Sequence, residues 1–175
     1  LNNPYSGGTH LPDITMVSPL SDSGRIIAYA VSRAHHADVG GMSPGSMPAG
    51  SRDLLQEGLV IPPVRLIAAG VATDVEDLVL ANTRTPVERR GDLAAQLATH
   101  QLAQARLDDL AARVGVATIE QAFSALLDYA ERRTRAAVAA LPDGSWRAEE
   151  FLEGDGIDDA PIPLVATVTI AGDRL

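Results

Sequence analysis

The sequence predicts a mixed α+β chain, and three observations carry that reading. Alternating apolar and polar residues flank a polar, Gly-closed turn near the front; the middle switches to helical periodicity; alternation returns at the end. The predicted order is an N-terminal β-hairpin with an irregular loop region, a central antiparallel helical hairpin, and C-terminal strands. In residues, this gives strand and loop over 1–72, the helical hairpin over 73–142 and strands over 143–175, all within one domain fragment of a longer chain.

The elements follow in chain order. "DITMVSPL" and "RIIAYAVSRA" surround "SDSG" and spell a hairpin turning at Ser21 to Gly24. Residues 36 to 58 form a long irregular stretch whose Met and Leu residues predict a packed loop. "LVIPPVRLIAAGV" then predicts one or two short buried strands, interrupted at Pro62-Pro63. A short helix is expected from Asp74 to about Asn82. Two long amphipathic helices follow. The first is expected to be capped at Asp92 and stopped at Gly115, with Leu93, Leu97, Leu102, Leu107, Leu110 and Val114 near helical spacing. The second is expected to open on a Thr118/Gln121 capping box and to stop at Pro142-Asp143-Gly144. "SWRAEEFLEGDGIDDAPIPLVATVTIAG" reads as strand, acidic loop and strand. The alternation then turns at Gly172-Asp173 and stops at Leu175, where a return strand should start, so the end reads as a hairpin cut at its turn.

Composition narrows the function. The chain has 175 residues, of which 46% are hydrophobic and only 3% aromatic, enough to bury an aliphatic core. Fourteen basic against twenty-three acidic residues leave a net charge of −9, which argues against nucleic acid or an anionic membrane surface as partner. The absence of cysteine excludes disulfides and thiol chemistry and makes a reducing, cytoplasmic home the expectation. Nothing approaches the roughly 18 apolar residues of a membrane span.

Three of the four histidines, His10, His35 and His36, lie in the front fifth. His10 and Asp13 ("HLPD") precede the first strand, and His35-His36 with Asp38 ("HHAD") close the second. Pairing about the "SDSG" turn therefore brings the two motifs together. Imidazole plus carboxylate is the ligand set of Zn²⁺, Mn²⁺ or Fe²⁺, and three protein ligands leave a position open for chemistry. Adjacent residues on an extended chain face opposite sides, so one of His35 and His36 joins His10; the spacing leaves open which. Asp38 also reads as a turn residue ahead of Gly40-Gly41. Glu57 offers an acid, base or ligand, or else ends a helix before Gly58. His100 and the cluster Arg84, Arg89 and Arg90 read as solvated surface, and "EGDGIDDAP" as an acidic turn lacking the ligand spacing of a calcium loop.

The stretches "NNPYSGGTHLPDITMVSP", "SRAHHADVGGMSPGSMP", "QEGLVIPPVRL", "ANTRTPVERRGDLAAQLA" and "LPDGSW" resemble, in that order, the hydantoinase B family. This family includes the B-type subunits of ATP-dependent hydantoinases and the C-terminal half of 5-oxoprolinase, with related ketone carboxylase subunits. The resemblance implies a metal held by His10, Asp13 and His35, with a further carboxylate supplied from upstream chain. It implies His36 or Asp38 as the nearest general base or orienting group; Glu57, from its place after the loop, is a further catalytic candidate. It implies ATP handled by a hydantoinase A-type partner, a small cyclic amide as substrate, an oligomeric full-length protein, and metal-assisted hydrolysis of a phosphorylated ring. The alternatives it leaves are a subunit of an ATP-dependent ketone carboxylase, or a structural segment docking the ATP-binding partner through aliphatic faces such as Leu93/Leu97 and Leu126/Leu127. The isolated segment is expected to be inactive, because it carries no phosphate-binding loop.

Overall fold

In the computed structural model, which describes residues 1–174, β1 (Asp13–Asp22) and β2 (Arg25–His35) pair antiparallel. Their register runs from Asp13 opposite His35 to Asp22 opposite Arg25. The turn is tight because Ser23 and Gly24 both take positive φ (48° and 81°), the combination that matches the twist of a two-residue hairpin. The predicted hairpin is thus present, with its turn where the sequence placed it.

Beyond β2 the chain forms α1 (Leu54–Glu57), β3 (Ile67–Ala68), β4 (Val71–Ala72), α2 (Val75–Ala81) and α3 (Pro86–Val114). After these come α4 (Val116–Ala139) and the antiparallel pair β5 (Gly144–Leu152) and β6 (Ile162–Ile170). Among the described residues, four α-helices and three two-stranded sheets confirm the α+β class. The chain divides into two compact units, Leu1–Arg113 and Val114–Leu175, so α3 and α4 belong to different units.

The first unit has an aliphatic core of Leu11, Ile14, Val39, Ile61, Val79, Leu80 and Leu93. Asn2, fully buried, fastens its front. The Asn2 side chain donates to the carbonyls of Leu11 (2.8 Å) and Leu59 (2.9 Å) and accepts from the Ile61 amide (2.7 Å). Three backbone groups of a turn and an extended segment are satisfied by one residue. In the second unit, Asp143 accepts from the Gly172 amide (2.8 Å), and Arg135 bridges Glu131 and Asp173. The predicted turn at Gly172-Asp173 is closed by Arg174 bonding back to Ala171, while the return strand expected at Leu175 lies outside the described residues.

Several local expectations need correction. α3 opens at Pro86, whose fixed φ suits a first helical position, so Asp92 lies inside the helix and pairs with Arg89 at 2.9 Å rather than capping it. α4 opens at Val116 behind Gly115, without a side-chain cap, so the Thr118/Gln121 box does not form. The regular backbone ladder begins with the Ile119 amide on the Gly115 carbonyl. The short strands β3 and β4 are largely exposed instead of buried. In the loop over 36–58, Met42, Met47 and Leu55 face solvent, and the packing comes from Val39 and Ser46. Ser46 Oγ accepts from the Val39 amide (2.7 Å) and donates to the Gly40 carbonyl (2.8 Å). Polar ties at Ser46 join the apolar packing of Val39 and Leu54 in shaping that loop.

Candidate metal centre

Strand pairing sets Asp13 opposite His35, and the turn before β1 delivers the third group. The Asp13 amide bonds to the His10 carbonyl at 3.0 Å, folding "HLPD" into one tight turn. The ligand atoms of His10, Asp13 and His35 consequently lie within 4.8 Å of one another. His10 Nδ1 approaches Asp13 Oδ2 at 3.1 Å and His35 Nδ1 approaches Asp13 Oδ1 at 3.2 Å, with the two rings 5.0 Å apart. One carboxylate is bracketed by two imidazoles.

The electrostatics suit a cation ligand. Thr9 donates to Asp13 Oδ2 at 2.6 Å, and this bond together with the two imidazoles holds the Asp13 carboxyl below its usual range. Asp13 is therefore an anion at neutral pH. His35 is half exposed (52%) and Asp13 less so (19%), which makes a site open on one side and supported on the other. Two imidazole nitrogens and one ionised carboxylate, convergent and accessible, fit a divalent transition ion in donor chemistry and in number.

The structure brings the expected trio together and leaves the other candidates elsewhere. It also resolves the His35/His36 ambiguity: His35 faces Asp13, whereas His36 is 1% exposed and turns inward. His36 Nε2 meets Gln96 Oε1 at 3.0 Å, which requires the proton on Nε2, and burial lowers its pKa. Asp38, also buried, receives the Arg84 amide (2.6 Å) and guanidinium (2.8 Å). Burial pulls the Asp38 pKa upward, but the Arg84 bonds outweigh it and the net shift is down. Both side chains are bonded away from the trio, His36 to Gln96 and Asp38 to Arg84. Glu57 ends α1 and accepts from Ser51 at 3.3 Å; it does not join the group.

Two residues expected on the surface are structural. His100 is 4% exposed and bridges Ser18 (2.7 Å) and Ser32 (2.8 Å), two hydroxyls that satisfy both ring nitrogens. Arg89 is buried, and among the described residues its Nε and Nη1 have no partner. Arg84 and Arg90 are paired too, with Asp38 and Glu76 respectively. A separate groove of about 920 Å³ lies along β1, lined by Met16, Val17, Val64, Ile67, Val79 and Leu97 among others, and includes none of the trio.

The family model described as hydantoinase B/oxoprolinase matches residues 1–175. The chain belongs to the hydantoinase B/oxoprolinase family. It is 34% identical to a putative D-/L-hydantoinase component, the B-type subunit, from Pseudomonas sp. (strain NS671), over 98% of this chain and 30% of that protein. Its fold matches the crystal structure of an ATP-dependent caprolactamase from Pseudomonas jessenii with a TM-score of 0.88 at 33% identity, covering 98% of this chain and 30% of the other. An acetone carboxylase, in its nucleotide-free structure, shares the fold with a TM-score of 0.80 at 20% identity, over 86% of this chain and 20% of its own. The chain thus spans about a third or less of the length of each of these relatives.

Proposed function

We propose that this segment carries the metal-binding part of a hydrolase acting on a small cyclic amide in an ATP-dependent reaction. The observation that carries the proposal is the convergence of His10, Asp13 and His35 within 4.8 Å at the open end of the hairpin. Family membership supports it, since the relatives include a hydantoinase component and an ATP-dependent caprolactamase. A bound divalent ion supplies Lewis acidity, polarising a substrate oxygen and making water more acidic.

The chain's own residues contribute charge and placement. Asp13 brings the negative charge, kept ionised by Thr9 and by the imidazoles on either side. His10 and His35 bring imidazole nitrogens from the turn before β1 and from the end of β2. Activation by ATP belongs, on this reading, to a hydantoinase A-type partner or domain, and the cellular setting is the cytoplasm. Ring opening adds water to the activated carbon and breaks its C–N bond, and a divalent ion held by His10, Asp13 and His35 would supply the acidity for that water.

The test is metal analysis and turnover of the intact protein. His10→Ala, Asp13→Asn and His35→Ala should each remove stoichiometric Zn, Mn or Fe and abolish ATP-dependent ring opening of a hydantoin, 5-oxoproline or lactam. Unaltered metal content in all three variants refutes the assignment.

A further inference from the structure

We infer that Gln96, on α3, is a positioning residue for the His10–Asp13–His35 site; this rests on the metal reading above. The two hairpin ligands, Asp13 and His35, sit opposite each other, and the residue following each in sequence is held by the same amide. Gln96 Nε2 donates to the Ile14 carbonyl at 3.0 Å, and Gln96 Oε1 accepts from His36 Nε2 at 3.0 Å. The same Nε2 also reaches Ser32 Oγ at 3.3 Å, so one side chain spans both strands. His36 extends the grip to the third ligand, because its backbone amide bonds to the Pro12 carbonyl (2.8 Å) inside the turn that carries His10 and Asp13.

Burial makes this arrangement stiff. Gln96 is 6% exposed and His36 1%, so water has little access to replace either bond. The ligands themselves face solvent and are unsupported on that side. Their separation is set from behind, by the amide that holds the Ile14 carbonyl on one strand and the His36 side chain after the other. Groups that orient metal ligands without touching the ion change affinity by roughly 10–100-fold when lost.

The helix offers its own control. Gln104, eight residues further along α3, makes the corresponding contacts at the turn end of the hairpin, accepting from the Ser21 amide and donating to the Ser21 carbonyl, each at 2.9 Å. It ties the same helix to the same hairpin at the end remote from the ligands. A merely structural role for Gln96 predicts that the two glutamines behave alike.

The experiment uses Co²⁺ as probe on the intact protein, reading its dissociation constant and its visible absorption band beside the thermal midpoint of the metal-free form. Gln96→Met should weaken Co²⁺ binding about 10-fold or more and shift the band. Gln96→Glu, nearly isosteric, keeps an acceptor for His36 but loses the donation to Ile14, and should fall between Gln96→Met and the parent. Gln104→Met should lower the midpoint while leaving Co²⁺ affinity and band unchanged. The inference is overturned if the folded Gln96 variants bind Co²⁺ like the parent, or if Gln104→Met weakens it equally. Failure of the unsubstituted protein to take up Co²⁺ overturns the underlying metal reading instead.

Discussion

Replacing Asn2 with Leu, a side chain of the same heavy-atom count and branching, should cost far more than losing the side chain of neighbouring Asn3. Asn2 is completely buried and makes three side-chain hydrogen bonds, to the Leu11 and Leu59 carbonyls and the Ile61 amide. Losing them forfeits about 1 kcal/mol each, and the stranded Ile61 N–H adds a desolvation cost of about 1–3 kcal/mol, for a total of about 4–6 kcal/mol. With a urea m-value of roughly 2 kcal/mol per molar, the midpoint should drop by about 2–3 M. Asn3→Ala is the comparison: its side chain caps only Tyr5 in an exposed turn, and its loss should cost under about 1 kcal/mol. The consequence reaches the site, because Leu11 lies between His10 and Asp13. Similar midpoints for Asn2→Leu and Asn3→Ala would refute the hydrogen-bond accounting.

Other perturbations separate the elements of the fold. Gly41→Ala should destabilise by several kcal/mol, since its φ is +81° and a Cβ would sit 2.5 Å from the Gln56 and Glu57 backbone. Gly91→Ala, inside α3 with open space around it, should stabilise by up to about 1 kcal/mol; denaturation curves of the pair check both signs. Arg84→Ala leaves buried Asp38 without its cation and should lower stability by about 2–3 kcal/mol, while metal content stays at the parental level. Stability should also depend on pH through His100 and His36, whose folded-state pKa values lie below the ordinary 6.5 because they are buried. Their contribution is fully present above 6.5 and is lost as pH falls below it, when the unfolded chain takes up protons first. His100→Gln should flatten the stability profile between about pH 6.5 and 5; an unchanged slope counts against the assignment.

Hairpin logic made the trio legible before any coordinates. A polar turn closed by Gly24 fixes which residues of β1 and β2 lie opposite, and so places "HLPD" against "HHAD". The same logic required one of two adjacent histidines to turn away, and that one is His36. What stayed hidden was the use of polar residues inside. His100 and Arg89 read as solvated surface and Gln96 drew no reading, yet all three are buried with Leu93 and Leu107 on the face of α3 that is covered. The aliphatic residues expected to share that face, Leu102 and Val114, are exposed. Periodicity ranks residues by hydropathy, and it misses a helix face whose buried glutamine and histidine are held by hydrogen bonds to the hairpin.

By itself, the order of residues settled what depends on near neighbours: the turn at Ser21 to Gly24, the alternation of β1 and β2, and hence that "HLPD" meets "HHAD". Which of His35 and His36 faces Asp13, which helix face is buried, and where Asp38 and His36 find their partners was decided only in three dimensions. Those outcomes depend on partners 46 and 60 positions away, Arg84 and Gln96. A buried polar group is stable only when a distant segment supplies its counterpart, and no local pattern records that pairing.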